Sequence, residues 1–600
     1  MAERTLPPTS SPDLFRGPDA GQTVEIWGLR SVGAATGPRN KSGDDVGADD
    51  VGRMTWGRGS RHNETIGARA GTLRETGMKT LFRLAILTMG LGLFIPAANA
   101  QTFNVMRSLD APHYDAQRTT WGPTGDVALL VQDTLVALDW DAKTPIPHLA
   151  KSWTVSPDGR IYTFQLRDDV TFCSGKKFTS ADVAYTFKRL KELGNRAPYA
   201  WRAGPVKEVR PVGPHTVEYE LTEPFSELLL QLTMWTNVIL NQDNVEQLGK
   251  DYGISGLDGT GPWCFVSWTP RTETVLRRHD AYRWGPSMYK NPGPVKFDRM
   301  VIKIIPEESS RLAAMLSGQF DYTNAFPRQF VAQAKATPSL EVQEAKGAFS
   351  LLYFGFKTTR DMVSDPRVRE AMSIGINRAE INSGVMLSQA KPAFTYVDPT
   401  AQDFAPATAG IVKEDVERAK RLLDEAGWKM GGDGIREKDG LKLAPKVLFT
   451  IGNNSARPAE AIQGYLRKIG IDWRLNGLDS TISPLKMGEQ DYEIWSVSVP
   501  YMSAGDLMNL YFDSKNIPTP NRMNWKDPRT DELLAGGRQA LTPDVRARNY
   551  MAVQELVMKQ HLWIPVLDIT IHQVTNRRLK NTRPHMLYNS TIYKALDFSH

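Results

Sequence analysis

From residue 101 onward, apolar and polar positions follow two periods. Tyr162, Phe164 and Leu166 alternate with Thr163 and Gln165, the period of two expected of a half-buried strand. Residues 216–221, Thr-Val-Glu-Tyr-Glu-Leu, alternate in the same way. Residues 300–305 form a more continuous apolar run closed by Pro306, which predicts a more buried strand. Elsewhere the period lengthens to that of a helix. Asp182 follows Thr179 at a capping-box-like spacing, and Val183, Phe187 and Leu190 mark the buried stripe behind it. Asp365 before Pro366 suits an N-cap followed by a first-turn proline, with Val368, Met372 and Ile376 on one face. Val416, Ala419, Leu423 and Ala426 make another stripe, ended by Gly427. Strands and helices interleave along the whole length, with no long repeat, low-complexity tract or evident linker. That predicts α/β lobes with the chain crossing between them.

Composition narrows the class. The chain has 600 residues, 41% hydrophobic and 23% charged, as a soluble globular protein with a large core would. The net charge of +6 is spread thinly and no dense Lys/Arg tract occurs, so no nucleic-acid partner is expected. No GxSxG, HExxH, P-loop or GxGxxG motif is present, so no enzyme is expected. His113, His215, His279, His561 and His572 are scattered without i, i+4 pairing. The only cysteines, Cys173 and Cys264, form no CxxC pair. Neither a metal nor another cofactor is therefore expected.

Residues 78–100 carry a targeting pattern. Met78, Lys79 and Arg83 form a positive start, an apolar run extends from Leu84 to Ile95, and Ala98-Asn99-Ala100 has the small-x-small shape of a cleavage site. This reads as a secretory signal peptide cleaved after Ala100. No cysteine follows the run, so a free periplasmic protein without a lipid anchor is expected. Residues 1–77 show no apolar period and few large apolar residues, and are read as a disordered or mis-assigned N-terminal extension.

One stretch goes further. Residues 146–190 carry Pro147, Leu149, Ala150, Ser152, Trp153, Asp158, Gly159, Tyr162, Phe164, Leu166, Arg167, Val170, Phe172, Gly175, Phe178, Ala181, Asp182 and Val183 in a register that resembles the signature of extracytoplasmic solute-binding family 5, the peptide, nickel and opine binders. The turn at residues 259–263, the Asp280–Gly285 element, Gly318–Asp321, Asp365–Ala371 and Ala419–Gly427 resemble later motifs of that family in the right order. Most of these residues read as scaffold.

The resemblance implies an α/β, two-lobed periplasmic binding protein fold with an additional inserted lobe. Lobe I would comprise residues 101–136, 259–351 and 566–600, inserted lobe II residues 137–258, and lobe III residues 352–565. It implies a periplasmic substrate-binding component of an ABC importer that captures a peptide-like or related solute in an interlobe cleft. Its partners would be the small solute and the permease subunits with their ATPase, and the chain itself would be monomeric. Alternatives are a periplasmic ligand sensor feeding chemosensing or signalling, and a secreted enzyme with no recognisable motif. Tyr114, Trp235, Trp495 and Tyr501 lie in segments resembling cleft-lining ones. In dipeptide binders of the family a carboxylate soon after a tryptophan holds the ligand's ammonium. If Trp495 is that tryptophan, the matching position is Ser498, and the nearest downstream acid is Asp506. Dipeptides with an ordinary free amino terminus are then expected to bind poorly, unless Asp506 serves as the anchor. Cys173 and Cys264 sit in or beside family motifs around the inserted lobe, so a disulfide between them is expected, with two separate buried thiols as the alternative.

Overall fold

The strands that sequence alternation predicts form where expected. In the computed structural model Ile161–Leu166 buries Tyr162, Phe164 and Leu166 and leaves the residues between them less covered. Thr216–Leu221 pairs with it antiparallel. Arg299–Ile304 is a strand whose middle is buried. The structure describes residues 101–345, 349–451, 454–478, 482–585 and 594–600; the signal-peptide and extension readings concern residues 1–100 and lie outside them. The described residues fall within one unit, Phe94–His600.

Three large sheets organise these residues. The first has seven strands in the order Leu340–Ala345, Ile571–Asn576, Tyr322–Thr323, Thr102–Arg107, Arg299–Ile304, Glu273–Arg278, Trp263–Thr269. The second has four antiparallel strands in the order Ala150–Val155, Ile161–Leu166, Thr216–Leu221, Val206–Gly213. The third has six, with Ser350–Phe356 flanked antiparallel by Trp563–Ile569 and Ile494–Pro500. That central strand is buried at every position, because both faces are covered. Leu352, Phe354 and Phe356 enter one apolar cluster, and Leu351 and Tyr353 enter the other. Such two-sided burial replaces alternation with a continuous apolar run.

The helix caps follow the sequence closely. Thr179 and Asp182 form a reciprocal capping box at the start of Ser180–Leu193. Asp365 caps Pro366–Ile374 by accepting from Arg367 N. Val416–Glu425 packs on that helix through Ala419, Leu422 and Leu423. Two expectations are corrected. Val416 is 43% exposed, since it opens the helix ahead of the turn that packs. Ile376 is buried but lies beyond the helix end at Ile374.

Motif residues act as scaffold. A Cβ at Gly261 would lie 2.4 Å from Leu130 O, so only glycine lets this turn close on the helix Gly122–Val131, where Gly261 N donates to Val131 O at 2.8 Å. Behind the turn Asp133 is fully buried. It accepts from Trp284 Nε1 at 3.0 Å and Thr260 Oγ1 at 3.1 Å, and it pairs with the equally buried Lys594 ammonium. His148 Nε2 lies 3.5 Å away; burial pulls its pKa down to about 3, against the pull of Asp133. Burial alone would raise the Asp133 pKa, but the Lys594 charge beside it and these hydrogen bonds hold it low.

Candidate functional site

Two segments about 300 residues apart in sequence meet across a cavity of about 790 Å³. One wall comes from the loop at residues 198–205, between the helix Ser180–Leu193 and the strand Val206–Gly213, and from Glu223, Phe225 and Glu227. The other comes from the end of the helix Ala504–Phe512 and the residues beyond it, through Tyr511, Asp513, Lys515 and Arg522 to Arg538. The rings of Tyr199 and Trp201 are half-buried at the first wall.

The walls are clasped together. Arg202 Nη1 lies 3.1 Å from Asp506 Oδ1, with both side chains almost wholly buried. Gln231 joins them, accepting from Arg202 at 2.5 Å and donating to Asp506 at 3.3 Å. Met502 N donates to the other Asp506 oxygen at 2.9 Å. The Arg202 guanidinium lies over the Trp201 ring at 4.5 Å and the Tyr199 ring at 5.1 Å, so the clasp is built against the cavity's own aromatic wall. Around it Ser503 Oγ donates to Glu227, Ser226 N donates to Arg538 O at 2.7 Å, and Gln539 donates to Glu223 at 2.7 Å. The cleft is therefore closed. Burial pushes the Glu227 carboxyl up to about 7; the Ser503 hydrogen bond opposes this and the Asp506 charge adds to it.

The residues singled out from sequence lie elsewhere. Trp495 is fully buried in Ile494–Pro500, edge-on to Tyr353 at 6.3 Å. Ser498 shares a hydrogen bond with Ser350 at 2.9 Å. The Tyr501 hydroxyl accepts from Asp398 N at 2.7 Å, and its ring stacks on Phe349 at 5.3 Å. Tyr114 bonds Thr274 at 2.5 Å and packs on Phe265 and Trp268. Trp235 meets Tyr199 edge-on at 6.1 Å. None of the six lines the cavity; Trp235 meets the lining ring of Tyr199, and Asp506 pairs with Arg202, which packs against the lining rings of Trp201 and Tyr199. Sequence reasoning missed Tyr199, Trp201, Arg202, Tyr511 and Arg522. The one available signal was the crowding of rings and an arginine into a short loop between Pro198 and Pro205, a position where binding residues concentrate.

Cys173 and Cys264 are joined by a disulfide, with their Cα atoms 5.7 Å apart. It ties a turn beside the second sheet to the last strand of the first. His279 lies close to both sulfurs, a proximity hidden by sequence separation. Because the sulfurs bind each other, neither is a free thiolate that could hold a metal.

A closed, aromatic-walled cleft between α/β layers, with crossing chain segments and an inserted antiparallel sheet, defines a multi-lobed solute-binding architecture. Similarity to known proteins agrees. The model of the bacterial extracellular solute-binding proteins, family 5, matches residues 144–519. The di/tripeptide-binding protein 2 of Pseudomonas aeruginosa is 26% identical over 527 residues, 84% of this chain and 95% of that protein. NikA from Brucella suis in complex with Fe(III)-EDTA superposes with a TM-score of 0.74 at 22% identity, covering 82% of this chain and 99% of NikA. The periplasmic binding protein DppA from Helicobacter pylori in complex with the peptide STSA, described as ABC transporter-associated, gives 0.70 at 21%, covering 82% and 97%. This chain belongs to the bacterial extracellular solute-binding proteins of family 5.

Proposed function

We propose that this chain is the periplasmic substrate-binding component of an ABC importer, which encloses a peptide-like or related solute between its walls and delivers it to a membrane permease and its ATPase. The observation that carries this reading is the interlobe cavity closed over by the Arg202–Asp506 clasp. A ligand that packs on Tyr199 and Trp201 also orders the rings against which Arg202 lies, so binding favours the closed form over the open one. The relatives' descriptions as di/tripeptide-binding and ABC transporter-associated support the substrate class and the partner.

Strand pairing supports the following lobe limits: residues 101–135, 259–345, 571–585 and 594–600 around the seven-stranded sheet, 136–258 around the four-stranded sheet, and 350–569 around the six-stranded sheet. These limits keep Ser350–Phe356 and Trp563–Ile569 whole, where the limits expected from sequence cut both. Export through residues 78–100 supports a periplasmic location, and no described helix is long and apolar enough to cross a membrane.

The test is to purify the protein from the periplasm, denature it, and identify any released solute by mass spectrometry. A single peptide-like solute is expected from the native chain and none from Trp201→Ala. Equal recovery from both would remove the cavity as the binding site.

A further inference from the structure

The charges around this cavity indicate which chemistry it takes, an inference that rests on the cavity being the ligand site. Six acidic or basic side chains line it: Glu223, Glu227, Asp513, Lys515, Arg522 and Arg538. Asp513 and Arg538 pair at 2.6 Å. Glu223 accepts from Gln539, and Glu227 from Ser503. Asp506, an acid that could hold an ammonium group, is already bound to Arg202. Lys515 and Arg522 are left, on the same wall, with no acidic partner among the described residues, and Arg522 Nε is buried without a hydrogen-bond partner. The groups around Arg522 do not neutralise it. Tyr492, which feels its charge, has its hydroxyl pushed up to about 12 by burial and stays protonated at neutral pH.

We propose that Arg522, assisted by Lys515, anchors a carboxylate of the ligand while the ligand's apolar part rests on Trp201 and Tyr199, and that no ammonium group is required. A guanidinium presents a fork of donors that matches a carboxylate. On the opposite wall the donors to Glu223 and Glu227 are a neutral amide and a hydroxyl, which bring no positive charge, so a ligand ammonium can be accommodated there but is not what holds the carboxylate.

The experiment is calorimetry on the mature chain with three forms of one dipeptide: Ala-Phe, N-acetyl-Ala-Phe and Ala-Phe amide. N-acetyl-Ala-Phe is expected to keep most of the affinity of Ala-Phe, and the amide to bind about tenfold more weakly or worse. Arg522→Met should bring the acetylated form down to the level of the amide. Arg522→Lys, which keeps the charge and loses the fork, should recover part of the difference. If the amide binds as well as the acetylated form, or if Arg522→Met leaves acetyl-dipeptide affinity unchanged, the proposal is overturned. In that event the cavity reading survives provided that Trp201→Ala still abolishes binding. If Trp201→Ala changes nothing, or no form binds at all, both fall together.

Discussion

Replacing Asp506 by asparagine keeps the shape of the side chain and removes its charge. In the closed cleft Arg202 and Asp506 are only 5% and 2% exposed at their side chains. The lone guanidinium would keep Gln231 Oε1 and the Met502 sulfur as neighbours, and neither carries a charge. Breaking a buried pair on one side costs about 3–5 kcal/mol. Opening the cleft lets Arg202 regain water, so the cost falls on closure and not on the fold of either lobe. The closed-to-open ratio should drop by roughly two to four powers of ten. Small-angle scattering with and without ligand reads this directly. The wild type should contract on binding, whereas Asp506→Asn should stay expanded at the same ligand concentration, with an unchanged melting profile. The double variant Arg202→Met/Asp506→Leu should recover much of the closure, because two apolar groups leave no stranded charge. A single variant that closes and binds like the wild type would refute the clasp.

Three further outcomes are expected. Denatured, unreduced protein should show no free thiols, and Cys173→Ser/Cys264→Ser should lose about 4–5 kcal/mol of stability in chemical denaturation, on the chain-entropy estimate for the 91-residue separation. Glu227 is raised to about 7 in the closed form from an ordinary value of 4.5. Closing therefore takes up a proton between those values, so ligand affinity should be highest near pH 4.5 and fall as pH rises through 7, by at most about 3 kcal/mol; Glu227→Gln should flatten that profile, and a wild-type profile already flat over this window would contradict it. Lys594→Met leaves Asp133 buried and unpaired and should cost about 3–5 kcal/mol, whereas Asp133→Asn/Lys594→Met should cost less, as thermal melts of the two variants would show.

Local rules were legible in the sequence because their causes are local. The Thr179–Asp182 box, the Asp365 cap and the alternation over Ile161–Leu166 each depend on residues within one turn or one strand. The site was not legible, because its parts meet only in three dimensions. Nothing near Arg202 in sequence points to Asp506, 304 residues away. Trp495 had the right composition for a cleft and the wrong face of its strand: it turns into the cluster with Tyr353, and its ring covers Gly355. Asp506 stood out as an acid, but its role depends on an arginine from the opposite wall. The family motifs identified the architecture because scaffold turns such as residues 259–263 are held by close backbone contact, a constraint independent of the ligand.

The make-up of the seven-stranded sheet governs when folding can finish. Thr102–Arg107 lies beside Tyr322–Thr323, and Ile571–Asn576 bridges that strand to Leu340–Ala345. A chain that emerges from a ribosome or translocation pore N-terminus first has most of this sheet in hand by residue 345, yet it must wait for residue 576 to join the last two strands. Until then Tyr322–Thr323 and Leu340–Ala345 present open hydrogen-bonding edges, the kind that recruit other chains. Pairings of such long range also form slowly. A product cut short before residue 571 would not be a smaller binding protein; it would be one with two unsealed edges, prone to aggregation and open to proteases.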